Sequence, residues 1–435
     1  MSKIDTKNIF EVLGKYILVD GFHVAIDLEK SKGNYFIDPI TGKKYLDCYS
    51  YFASLPIGHN HPKMLDAEFL EKLKWAAISN PANSDIYCKD LAESIDTFGK
   101  LAMPSDFANM FFVAGGGLAV ENCLKIAFDW KVQKNFAKGI KEEKGHKIIH
   151  FKEAFHGRTG YTMSLTNTDP TKTNYFPKFN WPRIQNPKLS FPVTPEVLYD
   201  VEEMEKKAID QIMAEIKNDS ASLAALIIEP IQGEGGDNHF RPEFFKALSE
   251  ICKKNEILFI CDEVQSGMGI TGKMWAYEHM GIVPDLIAFG KKAQVCGVMA
   301  GKRIHEVKNN VFKVSSRINS TWGGNLVDFV RGAKYLEIMK EENLVENAAK
   351  VGKYFLNQLM EELFDGKKVT NVRGKGFFIA FDLPTTQDRN DLRQKAWNNG
   401  FATLASGTRS IRFRPSLTFT KNDVDLAIKI LKDCL

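Results

Sequence analysis

The stretch "DLIAFGKKAQVCG" (residues 285–297) joins an apolar run to two adjacent lysines, Lys291 and Lys292. Such a run is typical of a strand buried in a sheet, where an ammonium group is costly unless it has a partner or a chemical role. Strand alternation and the break at Gly290 place the first lysine directly at the strand end. We therefore expect Lys291 to carry chemistry and Lys292 to point elsewhere, as a solvated or structural cation.

Comparable apolar runs alternate with amphipathic helices through the middle of the chain. This alternation predicts an α/β fold in which a mainly parallel sheet is flanked by helices. The C-terminal part changes character and predicts a small α+β domain, which the N-terminal residues join. The predicted division is a segment 1–65 joining the small domain, a large domain 66–325 and a small domain 326–435. The predicted strands of the large sheet lie at 109–113, 147–151, 223–230, 257–264 and 285–292.

Composition excludes several classes of function. The 435 residues carry a net charge of +4 without a long basic block, which argues against a nucleic-acid partner. Apolar runs fall short of the roughly 20 residues that span a bilayer, and the first residues lack the apolar core of a signal peptide. The seven cysteines form no CxxC pair, which indicates neither a metal site nor a disulfide framework. We expect a cytoplasmic protein with reduced thiols and no membrane partner.

Polar or glycine-rich residues follow each predicted strand. Ligands of open parallel sheets bind at the carboxyl ends of the strands, so we expect these residues to share one cleft. The residues concerned are Gly115–Gly117, Phe155–Arg158, Glu229, Asp262–Gln265 and Lys291.

The chemistry of these residues narrows the ligand. Glycines between a strand and a helix admit an anion to the helix N-terminus, and without GxGxxG or GK[ST] a lone phosphate fits best. Asp262, at a strand end, suits a helix cap, a metal ligand or the neutralisation of a protonated ring nitrogen. Pyridoxal 5'-phosphate (PLP) needs such an acid and a lysine that holds it as a Schiff base. Glycines, Asp262 and Lys291 together therefore predict PLP as the cofactor.

The sequence resembles the class III aminotransferases, of PLP fold type I, over nearly its full length. This resemblance implies a seven-stranded, mainly parallel sheet in the large domain, a smaller α+β domain and a homodimer with shared active sites. The motifs that carry it are "GNYFIDPITGKKYLDCYS" (33–50), "AFHGR" (154–158), "ICDEVQSGMGITGKMWAYE" (260–278), "DLIAFGKK" (285–292), "STWGGN" (320–325) and "IRFRP" (411–415).

Within that family, "EPIQGEGGDNHFRPEFF" (229–245) and "FGKKAQVCGVMAG" (289–301) resemble the lysine 6-aminotransferase subgroup. The resemblance implies transfer of the terminal amine of L-lysine to 2-oxoglutarate, giving 2-amino-6-oxohexanoate and L-glutamate. The alternative is another ω-aminotransferase, for 4-aminobutyrate or ornithine, because Arg158 and "SIRFRP" (410–415) also look like 4-aminobutyrate enzymes. A non-catalytic PLP-binding protein and a nucleotide-binding module fit these residues less well.

The resemblance also implies how the cofactor is held. Lys291 forms the Schiff base and then moves protons, and Asp262 pairs with the pyridinium nitrogen. Gln265 donates to the phenolate oxygen and Phe155 stacks on the ring. The remaining cofactor contacts go to the phosphate, from the same chain and from the partner subunit. They are the backbone of Gly116 and Gly117, and Ser320 and Thr321 of the other subunit.

The substrates that the resemblance implies carry carboxylates, so the site needs cations that bind them. Arg158 is the candidate for the α-carboxylate of lysine and for the distal carboxylate of 2-oxoglutarate. Arg412 is the candidate for the α-carboxylate of 2-oxoglutarate, with Glu234 as a gate that pairs with Arg412 while lysine is bound. Asn319 is a further candidate in the substrate channel, and Arg414 is expected to be structural.

Overall fold

The computed structural model describes residues 4–435. The strands of this part of the chain are β1 (Tyr35–Ile37), β2 (Lys44–Asp47), β3 (Phe107–Val113), β4 (Lys147–Phe151), β5 (Arg183–Ile184), β6 (Leu223–Ile228), β7 (Leu258–Asp262), β8 (Leu286–Phe289), β9 (Cys296–Gly301), β10 (Thr370–Lys375), β11 (Phe378–Asp382), β12 (Phe401–Ala402), β13 (Leu404–Ser406) and β14 (Ser410–Phe413).

The helices within the same residues are α1 (Ile9–Gly14), α2 (Ser50–Ala53), α3 (Ala67–Ile78), α4 (Lys89–Leu101), α5 (Gly116–Ala137), α6 (Pro195–Asp219), α7 (Pro242–Lys254), α8 (Leu326–Glu341), α9 (Leu344–Glu362), α10 (Thr386–Asn398) and α11 (Lys421–Cys434). None of them, within residues 4–435, combines the length and apolarity that crossing a bilayer requires.

A seven-stranded sheet in the order β3-β9-β8-β7-β6-β4-β5 forms the centre of the fold. Strands β5, β4, β6, β7 and β8 pair in parallel, and β9 pairs antiparallel with both β8 and β3. The predicted mainly parallel sheet flanked by helices is confirmed. The antiparallel β9 was not predicted, because "CGVMAG" (296–301) is apolar and glycine-rich without an alternation that marks a strand.

The central strands β6, β7 and β8 are buried throughout because helices cover both faces of the sheet. All six residues of β6 are buried, as its continuous apolar sequence "LAALII" predicts. Pro242 begins α7, which turns Phe244 and Leu248 towards one face of the sheet. On the other face, Leu124 and Trp130 of α5 are fully buried. The two apolar layers hold the sheet rigid, so the ends of its strands are fixed in position.

The C-terminal part contains a four-stranded sheet in the order β10-β11-β14-β13. Strand β12 pairs with β2, and β2 pairs with β1, so the first fifty residues contact the last hundred. Helix α8 packs on α4 and also contacts α9, which links the two parts of the chain. Because these contacts cross the predicted domain boundaries after residues 65 and 325, the division into domains stays a prediction.

Leu226 in β6 tests the burial of the central sheet. Its side chain is fully buried, whereas Leu426 in α11 is 38% exposed. We expect Leu226→Ala to lower the free energy of unfolding by about 2–5 kcal/mol, because the removed atoms leave a cavity. Leu426→Ala is the matched control and should change it by about 0.5 kcal/mol or less. Urea unfolding followed by tryptophan fluorescence measures both, and equal losses would contradict the assignment of β6 to the core.

Candidate active site

Five strand ends meet at one cavity of about 170 Å³. Parallel strands present their carboxyl ends at the same edge of a sheet, which brings together segments far apart in sequence. Seven of the predicted site residues line this cavity, together with four that were not assigned a role. Its lining consists of Gly116, Gly117, Phe155, His156, Gly157, Glu229, Glu234, Asp262, Val264, Gln265 and Lys291.

The glycines form a cup at the N-terminus of α5. Gly115 precedes the helix with φ 112°, a conformation that favours glycine. A Cβ atom on Gly116 would lie 2.7 Å from Cγ1 of Val264, so a side chain does not fit there. The first N–H groups of a helix have no intrahelical acceptor and carry the positive end of the helix dipole. Gly116 and Gly117 therefore offer a site suited to a phosphate.

Asp262 lies at the end of β7 and is held in a fixed orientation. Its Oδ2 atom is 2.8 Å from Nδ1 of His156, and its Oδ1 accepts from the backbone N–H of Val264 at 3.1 Å. A carboxylate only accepts, so Nδ1 of the imidazole carries the shared proton. His156 is buried, and its Nε2 atom has no hydrogen-bond partner within residues 4–435. His156 thus orients the acid that was predicted to meet a pyridinium nitrogen.

Lys291 begins a 3-10 turn, Lys291–Ala293, directly after β8. Its φ of 50° is left-handed, which turns the side chain out of the strand direction and into the cavity wall. Loss of hydration lowers the pKa of the Lys291 amine, the nearby Arg412 lowers it further, and Asp262 opposes both. A lysine in this environment has more of its neutral, nucleophilic form at neutral pH than a lysine in water.

Lys292 is buried, so the expectation of a solvated cation was wrong and that of a structural role holds. Burial, Arg414 and Lys291 lower the pKa of its amine well below the ordinary value. Its Nζ donates to the carbonyl oxygen of Ala53 at 2.7 Å. That carbonyl ends α2, whose residues Ser50–Ala53 all have left-handed φ between 40° and 69°. Such a run costs about 1–2 kcal/mol per residue and needs support from its surroundings. Lys292 supplies part of that support, next to the cavity but outside it.

The amide of Gln265 is oriented by two arginines. Its Oε1 accepts from Nη1 of Arg412 at 3.3 Å and from Nε and Nη2 of Arg414 at 3.2 and 3.1 Å. A guanidinium only donates, so the atom facing the arginines is the oxygen. The NH₂ group of Gln265 is left for the cavity, where it suits an anionic oxygen.

Arg414 is fully buried between structural partners. Its Nη2 atom is 2.7 Å from Oδ1 of Asp237, and the guanidinium lies 3.4 Å from the centroid of the Phe378 ring. Burial lowers the pKa of the guanidinium to about 10 despite the pairing with Asp237.

Glu234 is shared by two cations at the mouth of the cavity. Its Oε2 atom is 2.9 Å from Nη2 of Arg412, and its Oε1 atom is 2.5 Å from Nζ of Lys172. Burial raises the pKa of Glu234, but the charges of Arg412 and Lys172 more than offset this and leave it below the ordinary value. The carboxylate is therefore ionised at neutral pH and covers the guanidinium of Arg412.

Glu229 joins the two loops that close the cavity. It is buried, and burial raises its pKa to about 7, although the charge of His156 opposes that rise. Its carboxyl accepts from the backbone N–H of Phe155 at 3.0 Å and from that of Gly233 at 2.9 Å. Glu229 thus fixes the loop that carries Phe155 against the loop that carries Glu234.

A second, outer cavity of about 800 Å³ contains Arg158. Lys172 lines this outer cavity and also binds Glu234 of the inner one, so the two cavities meet at this ion pair. The outer walls are largely aromatic and apolar. They include Phe22, Ile26, Phe36, Tyr49, Tyr51, Phe52 and Trp397.

Asn319, Ser320 and Thr321 do not line either cavity in the single chain. They lie in the loop before α8, where Asn319 and Thr321 are exposed. Asn83 holds the backbone of this loop by donating to the carbonyl oxygens of Trp322 and Gly324 at 2.8 and 2.9 Å. The backbone is thus held at Trp322 and Gly324, while the side chains of Asn319 and Thr321 are accessible.

Sequence reasoning assigned no role to His156 or Lys172. His156 lies inside "AFHGR", so its place beside Phe155 was a signal that could have been used. Lys172 lies in a proline-rich irregular segment among many exposed lysines, and no local pattern distinguishes it. Only the folded chain shows that it contacts Glu234.

The donor set around the inner cavity fits PLP. An anion cup, an oriented acid, an aromatic ring, an amide NH₂ group and a lysine with a lowered pKa surround one space. These are the groups that a phosphate, a pyridinium, a ring face, a phenolate and an aldehyde require. The acid, the amine and the glycine cup come from three different strand ends of one rigid sheet.

Similarity to known proteins agrees with this fit. The L-lysine-epsilon aminotransferase of Mycobacterium tuberculosis H37Rv is 46% identical, over 98% of this chain and 95% of that protein. The solved lysine aminotransferase from M. tuberculosis in the internal aldimine form superposes with a TM-score of 0.97 at 45% identity, covering 99% of both chains. Human mitochondrial 4-aminobutyrate aminotransferase is more distant, at 31% identity over 96% of this chain and 86% of that protein.

The family model for aminotransferase class-III matches residues 17–435, almost the whole chain. The family and the cofactor predicted from the sequence are confirmed by this match and by the solved structure. The chain belongs to the class-III aminotransferases, whose cofactor is pyridoxal phosphate.

Proposed function

We propose that this chain transfers the terminal amine of L-lysine to 2-oxoglutarate, giving 2-amino-6-oxohexanoate and L-glutamate. The lysine aminotransferase relatives support this substrate, since their identity is higher than that of the 4-aminobutyrate enzymes. The observation that carries the proposal is the ion pair between Glu234 and Arg412 beside Lys291. This ion pair covers the guanidinium of Arg412, which would otherwise bind an α-carboxylate. The site therefore suits an amine end that has no carboxylate beside it.

The residues around the inner cavity would hold PLP by its charged groups. Gly116 and Gly117 would bind the phosphate, Asp262 the pyridinium nitrogen and Gln265 the phenolate oxygen, with Phe155 against the ring. When bound, PLP supplies an electron sink that stabilises negative charge at the carbon next to the substrate nitrogen. His156 keeps Asp262 oriented towards that ring.

Lys291 moves the protons of the reaction. Its amine, with a lowered pKa, accepts the proton that leaves the ε-carbon of the lysine substrate. The ammonium so formed is stabilised by Asp262 and is then able to return a proton. Burial of the amine excludes water that would otherwise compete for the proton.

Arg158 would hold the remote end of the substrate. Lysine carries its α-carboxylate several bonds away from the reacting amine. Lys291 lines the inner cavity, whereas Arg158 lines the outer one, so the two ends of the substrate would lie in different cavities. The bidentate geometry of a guanidinium suits a carboxylate. With 2-oxoglutarate the same Arg158 would hold the distal carboxylate, while Arg412 takes the α-carboxylate after Glu234 has moved away.

The functional unit in this proposal is a cytoplasmic homodimer. Asn83 holds the loop before α8 at Trp322 and Gly324, and Asn319 and Thr321 of this loop are exposed, which suits contact with the partner's phosphate site. Ser320 and Thr321 would supply hydroxyls there, and Asn319 would line the partner's substrate channel. The seven cysteines, all free, support a reducing compartment.

The first prediction concerns the substrate. We expect the purified protein to be yellow, to shift to a shorter-wavelength absorption on adding L-lysine and to recover on adding 2-oxoglutarate. Ornithine and 4-aminobutyrate, tested beside lysine, should react more slowly. A shift with either of them but not with lysine would leave the family assignment intact and make the proposed substrate wrong.

The second prediction separates the two arginines. Arg158→Met should lower kcat/KM for both lysine and 2-oxoglutarate by about thirtyfold or more, because a charged contact of about 2 kcal/mol is lost. Arg412→Met should lower it much more for 2-oxoglutarate than for lysine. Steady-state and single-turnover rates for each half-reaction measure the difference.

Two controls sharpen this comparison. 1,5-Diaminopentane is lysine without the carboxylate, so its rate should be insensitive to Arg158→Met. Arg393 also lines the outer cavity, and Arg393→Met should leave lysine turnover within about twofold of the wild type. If Arg393→Met weakens lysine binding and Arg158→Met does not, the carboxylate site has been assigned to the wrong arginine.

A further inference from the structure

Lys172 is the unexplained partner of the gate. The two carboxylate oxygens of Glu234 are divided between two cations, with Oε2 on Arg412 and Oε1 on Lys172. Pairing with Arg412 alone would suffice to cover the guanidinium. A second cation on the other oxygen remains bound when the first contact is broken.

The position of Lys172 suits this use. It ends a short 3-10 turn, Pro170–Lys172, which Asp169 caps. Its Nζ lies 5.4 Å from the centroid of the Phe155 ring, and its side chain is 25% exposed at the junction of the two cavities. A flexible four-carbon stem lets an ammonium follow a carboxylate that shifts, which the rigid fork of an arginine does less well.

We propose that Lys172 is a positioning residue of the Glu234 gate, which retains the carboxylate when Arg412 turns to the α-carboxylate of the oxo acid. This inference rests on the proposed function, which requires Arg412 to be covered in one half-reaction and open in the other. A carboxylate displaced from Arg412 in a partly buried site is destabilised unless another charge receives it. Lys172 is already in contact with it.

Lys172 therefore affects the half-reaction with 2-oxoglutarate and not the half-reaction with lysine. With lysine bound, Glu234 stays on Arg412, so loss of Lys172 changes little. With 2-oxoglutarate, loss of Lys172 has two consequences. Before the oxo acid binds, Glu234 contacts Arg412 through both carboxylate oxygens. After the oxo acid has displaced it from Arg412, Glu234 has no second partner. The oxo acid then has to open a gate that is more firmly closed.

The alternative is that Lys172 binds a carboxylate of the incoming substrate directly. The Glu234→Gln background distinguishes the two. If Lys172 acts through the gate carboxylate, its removal has no effect once that carboxylate is gone. If it binds the substrate itself, its removal weakens binding in either background.

The test is a double-mutant cycle on the holoenzyme with Lys172→Met, Glu234→Gln and the double variant. Single-turnover spectra give apparent Kd and rate for lysine and for 2-oxoglutarate. Calorimetry with glutarate, a dicarboxylate that cannot react, gives a binding constant independent of turnover. Lys134→Met is the matched control, since Lys134 is 22% exposed, pairs with Glu256 and Glu306, and lies 5.6 Å from the Trp130 ring.

We expect Lys172→Met to raise Kd for 2-oxoglutarate and for glutarate about tenfold, as for the loss of one hydrogen bond to a charged group. Kd for lysine should stay within about twofold, Lys134→Met should have no effect, and Lys172→Met should add nothing to Glu234→Gln. Equal effects on lysine and 2-oxoglutarate, no effect, or weakening that persists in the Glu234→Gln background would each overturn the inference. A wild-type protein that lysine leaves spectrally unchanged would instead overturn the proposed function.

Discussion

The carboxyl ends of parallel strands bring charged side chains to one edge of a sheet whose two faces are covered by helices. Because these charges are shielded from water, each of them needs a partner there. Asp262 has His156. Arg414 reaches the same region from the end of β14 in the four-stranded sheet, and it has Asp237. Glu234 has Arg412 and Lys172. Because the backbone at each strand end is fixed by a packed core, these pairs meet without large rearrangement. The chemistry of the site depends on this arrangement more than on any single residue.

In the proposed function the cavity receives an amine end and an α-carboxylate in turn, and charge pairing explains how one site suits both. The charge of Lys291 is weakened rather than neutralised by an ion pair, since burial and Arg412 both lower its pKa. Arg412 is covered by Glu234 only through a partly exposed contact, so a carboxylate of the right shape competes with it. In the proposed gate, Glu234 has to bind Arg412 strongly enough to cover it while lysine is bound, and weakly enough for the carboxylate of 2-oxoglutarate to displace it.

The strands and their polar ends could be predicted from the sequence because both have local signals. Continuous apolar runs such as Leu223–Ile228 mark buried strands, and an acid or lysine at the end of such a run is unusual. Strand β9 could not be predicted, since glycines interrupt its apolar run and its pairing is antiparallel. Lys172 could not be predicted either, because its contact with Glu234 spans sixty-two positions and joins two loops. Tertiary contacts between loops leave no periodic trace in the sequence.

Two adjacent lysines end one strand and do different work, and the backbone decides which is which. The left-handed φ of Lys291 turns its side chain into the inner cavity, and the 3-10 turn that follows sends Lys292 the other way, onto the carbonyl of Ala53. Lys292 then stabilises the left-handed turn Ser50–Ala53, whose Tyr51 and Phe52 line the outer cavity. The second lysine thus supports one wall of the outer cavity, and its burial is accounted for by the strained turn that it stabilises.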